Sequence, residues 1–229
     1  MALILALETS STICSVALYQ NQEFLALTEL QLEKSHSSHT TVIISQLLEN
    51  CGLTLQDLSA VAVSGGPGSY TGLRIGSAMA KGLCYSLDIP LIEISTLHAL
   101  AYSLIQVTPN PENYLYCPML DARRMEVYSC VLNSDLQELL PVSPIILTNK
   151  SFEDFTSQNP VIFLGSGADK FQKLIENSSQ ALFNSKVSLS AKPVGALAYH
   201  KYINQQFEDV AYYEPFYLKE VYITASNKS

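Results

Sequence analysis

The run at residues 66–76, GPGSYTGLRIG, is the most informative stretch for chemistry, since it lies between an apolar segment and a helical pattern. Glycine lets a backbone approach an anion closely, and the first turn of a helix offers unpaired N–H groups. The run matches neither G-x-G-x-x-G nor G-x-x-x-x-G-K-[ST]. An anion-binding turn and a tight structural turn with a capped helix therefore both remain open.

Small residues recur every four positions in the helix predicted after this turn, at Gly72, Gly76 and Ala80. One face of the helix is therefore almost bare of side chains. Glycine in a helix costs up to about 1 kcal/mol relative to alanine, and it is best tolerated where another backbone comes close. The close neighbour is either the sheet of this chain or a helix of a partner.

Hydroxyl side chains fill the turn between the first two predicted strands, at a place where actin-like and sugar-kinase ATPases keep an Asp-x-Gly-Thr phosphate loop. Here Glu8 takes the position of the aspartate, and Ser10 takes the position of the glycine. This turn is the candidate nucleotide-binding site of the sequence, and its residues are Glu8, Thr9, Ser10 and Ser11. A plain polar hairpin is the alternative.

Other catalytic patterns are incomplete. Ser69 is one residue short of a G-x-S-x-G elbow, and H-E-x-x-H does not occur. His36 and His39 have i, i+3 spacing but no third ligand beside them. The five cysteines are scattered through apolar runs, which is typical of buried thiols rather than of a zinc site. We expect no catalytic residue and no metal.

Composition limits the choice of partners. Of 229 residues 48% are hydrophobic, and 13 basic against 21 acidic residues give a formal charge of −8. Such a surface repels phosphate backbones, so the lone chain is expected to bind RNA poorly. No apolar run is long enough for a membrane span, and the start of the chain lacks the features of a signal peptide. We expect a cytoplasmic protein.

The pattern along the chain predicts an α/β protein whose mixed sheets are flanked by helices. A meander of three strands opens it, and strands then alternate with helices. Two prolines near residue 110 mark a boundary, which predicts an N-terminal lobe at 1–108 and a smaller C-terminal lobe at 109–229 whose last helix packs back on the first lobe. Predicted strands cover 3–7, 13–19, 24–30, 60–64, 90–94, 115–120, 126–132 and 161–164, and predicted helices cover 37–51, 73–87, a segment capped by Ser95, 169–177 and 194–204.

Four charges within residues 121–126 join two strands of the second lobe. Such a run is usually a solvated hairpin tip, and a polar patch facing a cleft between lobes is the alternative.

Six segments in this order resemble the TsaB (YeaZ) family over nearly the whole chain. They are residues 4–10, 36–37, 66–76, 95–97, 121–128 and 215–218. The resemblance implies a two-lobe actin-like or sugar-kinase-like ATPase fold. It also implies a non-catalytic subunit of the system that adds a threonylcarbamoyl group to the adenosine next to the anticodon of tRNA, although relatives were long labelled M22 glycoproteases.

The partners implied by the resemblance are a TsaD-like catalytic paralogue and a TsaE-like ATPase, with tRNA bound only through the complex and a homodimer possible when the chain is alone. Family members pair through helices of the first lobe, which predicts the interface residues His36, Ile44, Leu48, Gly72, Arg74, Gly76 and Ala80. No cofactor of its own is expected, and ATP or ADP is possible at the complex interface. Glu8 departs from the aspartate of many relatives. The competing hypothesis is a free-standing enzyme of the same fold, a small-molecule kinase or an M22-type peptidase.

Overall fold

The computed structural model describes residues 1–31, 36–175 and 179–218, and the side chains of residues 36–39 lie outside the description. Two five-stranded mixed sheets form the centre of this part of the chain. The first has the order β3-β2-β1-β4-β5, with β1 at Leu3–Glu8, β2 at Ile13–Gln20, β3 at Glu23–Gln31, β4 at Ala60–Gly66 and β5 at Leu91–Ser95. The second has the order β10-β9-β6-β7-β8, with β6 at Leu115–Asp121, β7 at Glu126–Leu132, β8 at Glu138–Ile146, β9 at Val161–Leu164 and β10 at Ala181–Asn184.

Helices cover both sheets. They are α1 at His36–Asn50, α2 at Tyr70–Leu87, α3 at Thr96–Ile105, α4 at Glu153–Thr156, α5 at Ala168–Gln172 and α6 at Ala191–Ile203, with short 3-10 turns at Leu55–Asp57 and Pro111–Asn113. Side chains of α1 and α2 pack on one face of the first sheet, and α6 packs on the other face. Every residue of β1 is therefore buried, which explains its continuous apolar run from Leu3 to Leu7.

The strand-to-helix connections place the end of β1 beside the end of β4. These two strands are parallel and pair Leu7 with Val63, so Glu8 lies next to Ser64 at the same edge of the sheet. The carboxyl ends of parallel strands are where open α/β sheets bind ligands. This edge therefore holds both turns that the sequence singled out.

Helix α3 joins the two sheets. Its apolar residues Leu97, Leu100 and Ile105 share a core with Tyr116 and Leu132 of the second sheet. The opposite face of the second sheet carries a cluster of phenylalanines, Phe152, Phe163, Phe171 and Phe183, whose rings contact one another. No helix in the described part of the chain is both long enough and apolar enough to cross a membrane.

The mixed sheets and flanking helices predicted from the sequence are confirmed, and several details differ. Strands β8 and β10 were not predicted, and α2 begins at Tyr70, three residues before the predicted 73. The earlier start follows from Ser69, whose hydroxyl accepts a hydrogen bond from the Gly72 N–H and caps the helix. Of the helix predicted at 169–177, residues 168–172 are helical, and 176–177 lie outside the described residues.

Candidate functional site

The turn that follows β1 is closed by the glycine-rich turn that follows β4. The Thr9 hydroxyl donates to the Gly72 carbonyl at 2.8 Å, and the Ser69 N–H donates to the Ser10 carbonyl at 2.7 Å. A Cβ on Gly68 would lie 2.6 Å from the Ser10 Cβ, so only glycine permits this approach. Thr9 and Ser10 are consequently 1% and 3% exposed.

Glu8 is a fully buried acid in the same turn. Its Oε1 accepts hydrogen bonds from the N–H and the hydroxyl of Ser10, both at 2.6 Å. Its Oε2 and the neighbouring Ser64 hydroxyl have no hydrogen-bond partner within the described residues. Burial raises the pKa of the Glu8 carboxyl above its ordinary value, and the hydrogen bonds from Ser10 lower it only in part.

The predicted nucleotide turn therefore contacts the chain itself. Glu8, Thr9 and Ser10 are buried, and Ser11, which is partly exposed, accepts a hydrogen bond from the Ile13 N–H at 3.1 Å. This arrangement is a structural closure between β1 and β4. It leaves the partly exposed Ser11 and the exposed Thr12 as the open side chains of the turn.

The prediction that Gly72, Gly76 and Ala80 face a partner is wrong for these three residues. A Cβ on Gly72 would overlap the Thr9 carbonyl oxygen, and one on Gly76 would overlap the Thr9 hydroxyl. Ala80 is fully buried in the core of the first lobe. The bare face of α2 meets the chain's own sheet, because the short connection from β4 brings the helix directly over the end of β1.

The exposed face of α2 presents other residues. It carries Arg74, Ala78, Gly82 and Tyr85, and a Cβ on Gly82 would meet nothing within 4 Å. The Arg74 guanidinium donates to the Tyr70 hydroxyl at 2.8 Å and lies 5.4 Å from the centre of that ring. Arg74 is thus exposed on the surface, where a residue must lie to contact a partner.

An apolar groove of about 440 Å³ lies between α1 and α2. Ile44 and Leu48 are only 3% and 2% exposed, so these two predicted interface residues form its floor rather than its open surface. The side chain of His36 lies outside the described residues. The groove is lined by the apolar residues Ile44, Leu48, Leu53, Leu55, Met79 and Leu83 and by the polar residues Thr41, Ser45, Glu49, Thr54 and Gln56.

Sequence reasoning missed Met79, Leu83 and Gly82. Met79 and Leu83 are partly exposed and lie four residues apart, so they follow the helical period of a second apolar face beside the buried one. The signal was present in the sequence, but the stronger small-residue repeat of the same helix concealed it. Gly82 lies outside that repeat, and it is the glycine of α2 that faces open space.

Ser69, Cys84 and Cys117 are not activated as nucleophiles in the described part of the chain. The Ser69 hydroxyl is a helix cap, and His98 pairs with Glu138 at 3.4 Å. Burial raises the pKa of the Cys84 thiol to about 11 and that of Cys117 to about 12, so neither forms a thiolate at neutral pH. Among these residues no three His, Cys, Asp or Glu side chains come together to hold a metal ion.

The charged run at 121–126 is an exposed hairpin tip between β6 and β7. Arg123 and Arg124 both have positive φ, at 67° and 46°, which suits the two central residues of a tight hairpin turn. Asp121 accepts from the Arg123 N–H at 2.7 Å and from the Lys170 ammonium at 2.6 Å. The solvated-tip interpretation of this run is therefore confirmed.

The two mixed sheets are joined through α3, and the ends of β1 and β4 lie at this junction. This arrangement belongs to the class of two-lobe actin-like and sugar-kinase-like ATPase folds. A solved structure of an uncharacterized Pseudomonas aeruginosa protein, described as similar to peptidase YEAZ, superposes with a TM-score of 0.84 at 23% identity and covers 96% of this chain and 100% of that one. An activator of 2-hydroxyisocaproyl-CoA dehydratase from Clostridium difficile, solved with bound ADPNP, superposes with a TM-score of 0.51 at 12% identity, over 89% of this chain and 97% of that one.

Sequence relatives identify the family. The tRNA threonylcarbamoyladenosine biosynthesis protein TsaB of Bacillus subtilis is 35% identical over 179 residues, which are 76% of this chain and 75% of the relative. The model of the family described as "TsaD: tRNA N6-adenosine threonylcarbamoyltransferase" matches residues 30–223. The chain belongs to the TsaB (YeaZ) family.

Proposed function

We propose that this chain is a non-catalytic subunit that holds and activates a TsaD-like catalytic paralogue. The paralogue adds a threonylcarbamoyl group to the adenosine next to the anticodon of tRNA, and a TsaE-like ATPase acts in the same assembly. The proposal is supported by the likeness to the tRNA threonylcarbamoyladenosine biosynthesis protein TsaB of Bacillus subtilis and by the match to the TsaD family model. The scaffold role and the two partners are proposed from the apolar groove between α1 and α2.

The apolar groove between α1 and α2 carries the proposal. Met79 and Leu83 leave part of their apolar surface open along one wall, and Leu55 is 37% exposed on the other. Burial of such surface stabilises association by roughly 25 cal/mol per Å² of apolar area. Ala78 and Gly82 beside the groove add no bulk, so a partner helix can come close to the α2 backbone.

The occupant of the groove is the corresponding pair of helices in the catalytic paralogue. The TsaD family model matches this chain from residue 30 to 223, a range that contains α1 and α2. A paralogue with the same two helices can present a similar apolar face, so the two proteins pack in a pseudo-symmetric way. A second copy of this chain can use the same face, which accounts for a homodimer when the chain is alone.

The charge of the chain supports tRNA binding by the assembly rather than by this chain alone. A formal charge of −8 provides little neutralisation of phosphate groups, so a more basic partner must hold the nucleic acid. We also propose that the chain has no nucleotide site of its own, because the loop after β4 closes the turn at Glu8. ATP or ADP, where present, binds at the interface with the catalytic paralogue.

Gly82→Leu tests the groove without disturbing the core. A Cβ at this position meets nothing within 4 Å, and leucine is a better helix former than glycine, so the isolated chain stays folded. A leucine inserted into a closely packed interface costs about 1–3 kcal/mol, or roughly ten- to a hundredfold in affinity. Affinity for the purified catalytic paralogue is measured by calorimetry, and tRNA threonylcarbamoylation is measured with the reconstituted components.

His200→Leu is the matched control, since His200 is an exposed position of α6 far along the chain from the groove. The control should bind the paralogue like the wild type. Equal affinity of Gly82→Leu and His200→Leu would show that this face of α2 does not meet the paralogue.

A further inference from the structure

Arg74 is an exposed cation on the α2 face that the proposed function gives to the partner. It lies one helical turn before Ala78 and two turns before Gly82, so the three residues share one side of the helix. All three are exposed, whereas the adjacent Leu73 is buried. A partner helix that comes close to the α2 backbone at Ala78 and Gly82 therefore also covers the Arg74 guanidinium.

An aromatic pair holds this guanidinium in place. The Arg74 Nη1 donates to the Tyr70 hydroxyl at 2.8 Å, and the Arg74 Cζ lies 5.4 Å from the centre of that ring. The Tyr70 ring packs in turn against the ring of Tyr217, and the two ring centres are 5.0 Å apart. A guanidinium has five N–H donors, so most of those on Arg74 remain available to a ligand.

Tyr217 belongs to a C-terminal segment whose backbone is attached to the first lobe. The Lys81 ammonium of α2 donates to the Tyr213 carbonyl at 3.0 Å. The Phe216 N–H donates to the Gly65 carbonyl at 2.7 Å. Because the residue just before Tyr217 is bonded in this way, the fold of the chain, and not a partner, places the Tyr217 ring against α2.

Arg74 has no carboxylate partner within the described residues, where the ion pairs join other side chains. The pKa of Arg74 is raised first by the hydrogen bond with the Tyr70 hydroxyl and to a smaller extent by Tyr217, and neither is a carboxylate. Water solvates the exposed guanidinium of the lone chain. A closed interface removes that water, and burying an unpaired charge is costly. A partner that covers Arg74 must therefore supply an anionic acceptor.

A carboxylate is the acceptor that a protein partner can supply. Its two oxygens accept two parallel N–H bonds from a guanidinium, which adds geometric specificity to the pair. We propose that Arg74, positioned by Tyr70 and Tyr217, pairs with an aspartate or glutamate side chain of the catalytic paralogue. The inference rests on the proposed function and adds a charged contact to the apolar groove. Tyr217 acts through Tyr70 and is a positioning residue.

Calorimetric titration of the intact chain with the purified catalytic paralogue, without tRNA or nucleotide, tests the charged contact. Arg74→Gln should weaken binding roughly tenfold or more, and Arg74→Glu should weaken it further because like charges repel. Added salt should weaken binding of the wild type more steeply than binding of Arg74→Gln, since salt screens the ion pair. Lys150→Gln removes an exposed charge of the second lobe, and this control should bind like the wild type.

Equal affinity of Arg74→Gln and Lys150→Gln would overturn the proposal. An effect of Arg74→Gln that appears only after addition of tRNA or ATP would also overturn it, because the acceptor would then be a phosphate group. Gly82→Leu separates this inference from the proposed function. If Gly82→Leu weakens binding and Arg74→Gln does not, the groove meets the paralogue but the carboxylate contact is refuted. Unchanged affinity in both variants would refute the face and the contact together.

Two variants of Tyr217 test its positioning role. Tyr217→Leu removes the ring that supports Tyr70 and should weaken binding roughly three- to tenfold, whereas Tyr217→Phe retains the ring and should bind like the wild type. In the Arg74→Gln background Tyr217→Leu should have no further effect, since both residues act through one contact. Tyr212→Leu is the control, because Tyr212 is 85% exposed in the same segment. Additive losses from Arg74→Gln and Tyr217→Leu, with thermal unfolding like that of the wild type, would show that Tyr217 does not position Arg74.

Discussion

Replacing Gly72 with alanine tests the assignment of the bare face of α2 to the chain's own sheet. The new methyl group would overlap the carbonyl oxygen of Thr9, which is backbone and cannot rotate away. It would also disturb the hydrogen bond from the Thr9 hydroxyl to the Gly72 carbonyl. The closure between the two turns should therefore loosen.

Three contributions decide the size of the effect. Alanine gains up to about 1 kcal/mol over glycine in a helix. Overpacking costs about 1–3 kcal/mol, and loss of one hydrogen bond costs about 0.5–1.5 kcal/mol. When the full gain of about 1 kcal/mol is subtracted, the expected net destabilisation is about 0.5–3.5 kcal/mol. For a chain of this size that lowers the melting temperature by roughly 1–14 °C.

Gly82→Ala is the control in the same helix, because a Cβ there meets nothing within 4 Å. It should stabilise the chain by about 0.5–1 kcal/mol. Scanning calorimetry on both variants measures the two opposite shifts, and titration with the catalytic paralogue measures affinity. If Gly72→Ala melts like Gly82→Ala but binds the paralogue more weakly, the buried assignment is refuted.

Two further predictions concern Glu8 and Ser69. In the folded protein the pKa of Glu8 lies above its ordinary value of 4.5. At pH values between the unfolded and the folded pKa, the native state therefore binds more protons than the unfolded state. The stability of the wild type falls as the pH rises through this range. Glu8→Gln lacks this loss, so the free energy of unfolding of the variant should increase relative to that of the wild type as the pH rises above 4.5. Urea unfolding at several pH values measures this difference. A difference that does not change with pH would contradict the raised pKa. Ser69→Ala should cost about 0.5–2 kcal/mol through its helix cap. Ser69→Ala should remove no enzymatic activity. ATP turnover of roughly 1 per second by the wild-type chain alone would instead favour a kinase.

The meander and the strand-helix alternation could be predicted because their apolar periods are local. Strand β8 could not, since it contains Pro141 and Pro144, which ordinarily argue against a strand. It is an edge strand that pairs only with β7, so the missing N–H groups cost little. Strand β10 spans four residues, as β9 does, but it ends in Asn184 and is mostly not buried, so no continuous apolar run marks it as the run in β9 does.

The site was predicted in part for a similar reason. The spacing of Gly72, Gly76 and Ala80 correctly predicts a close backbone neighbour, but which backbone it is depends on the connection from β4 and not on the helix itself. The groove needs residues from α1, the turn at Leu55–Asp57 and α2 together. Its lining is discontinuous in sequence, and no single periodicity contains it.

The closed turn at Glu8 connects this packing with the proposed function. A phosphate-binding turn needs free backbone N–H groups and room for an anion. Here the room beside Ser10 is taken by Gly68, and Thr9 and Ser10 are tied to the loop after β4 through two hydrogen bonds. Opening the turn would break both bonds, each contributing about 0.5–1.5 kcal/mol, and would expose the buried carboxyl of Glu8. The glycines of this turn let β1 and β4 pack together. In the proposed function, the interactions of the chain are therefore made by its outer surface, where the groove between α1 and α2 offers apolar area to a partner.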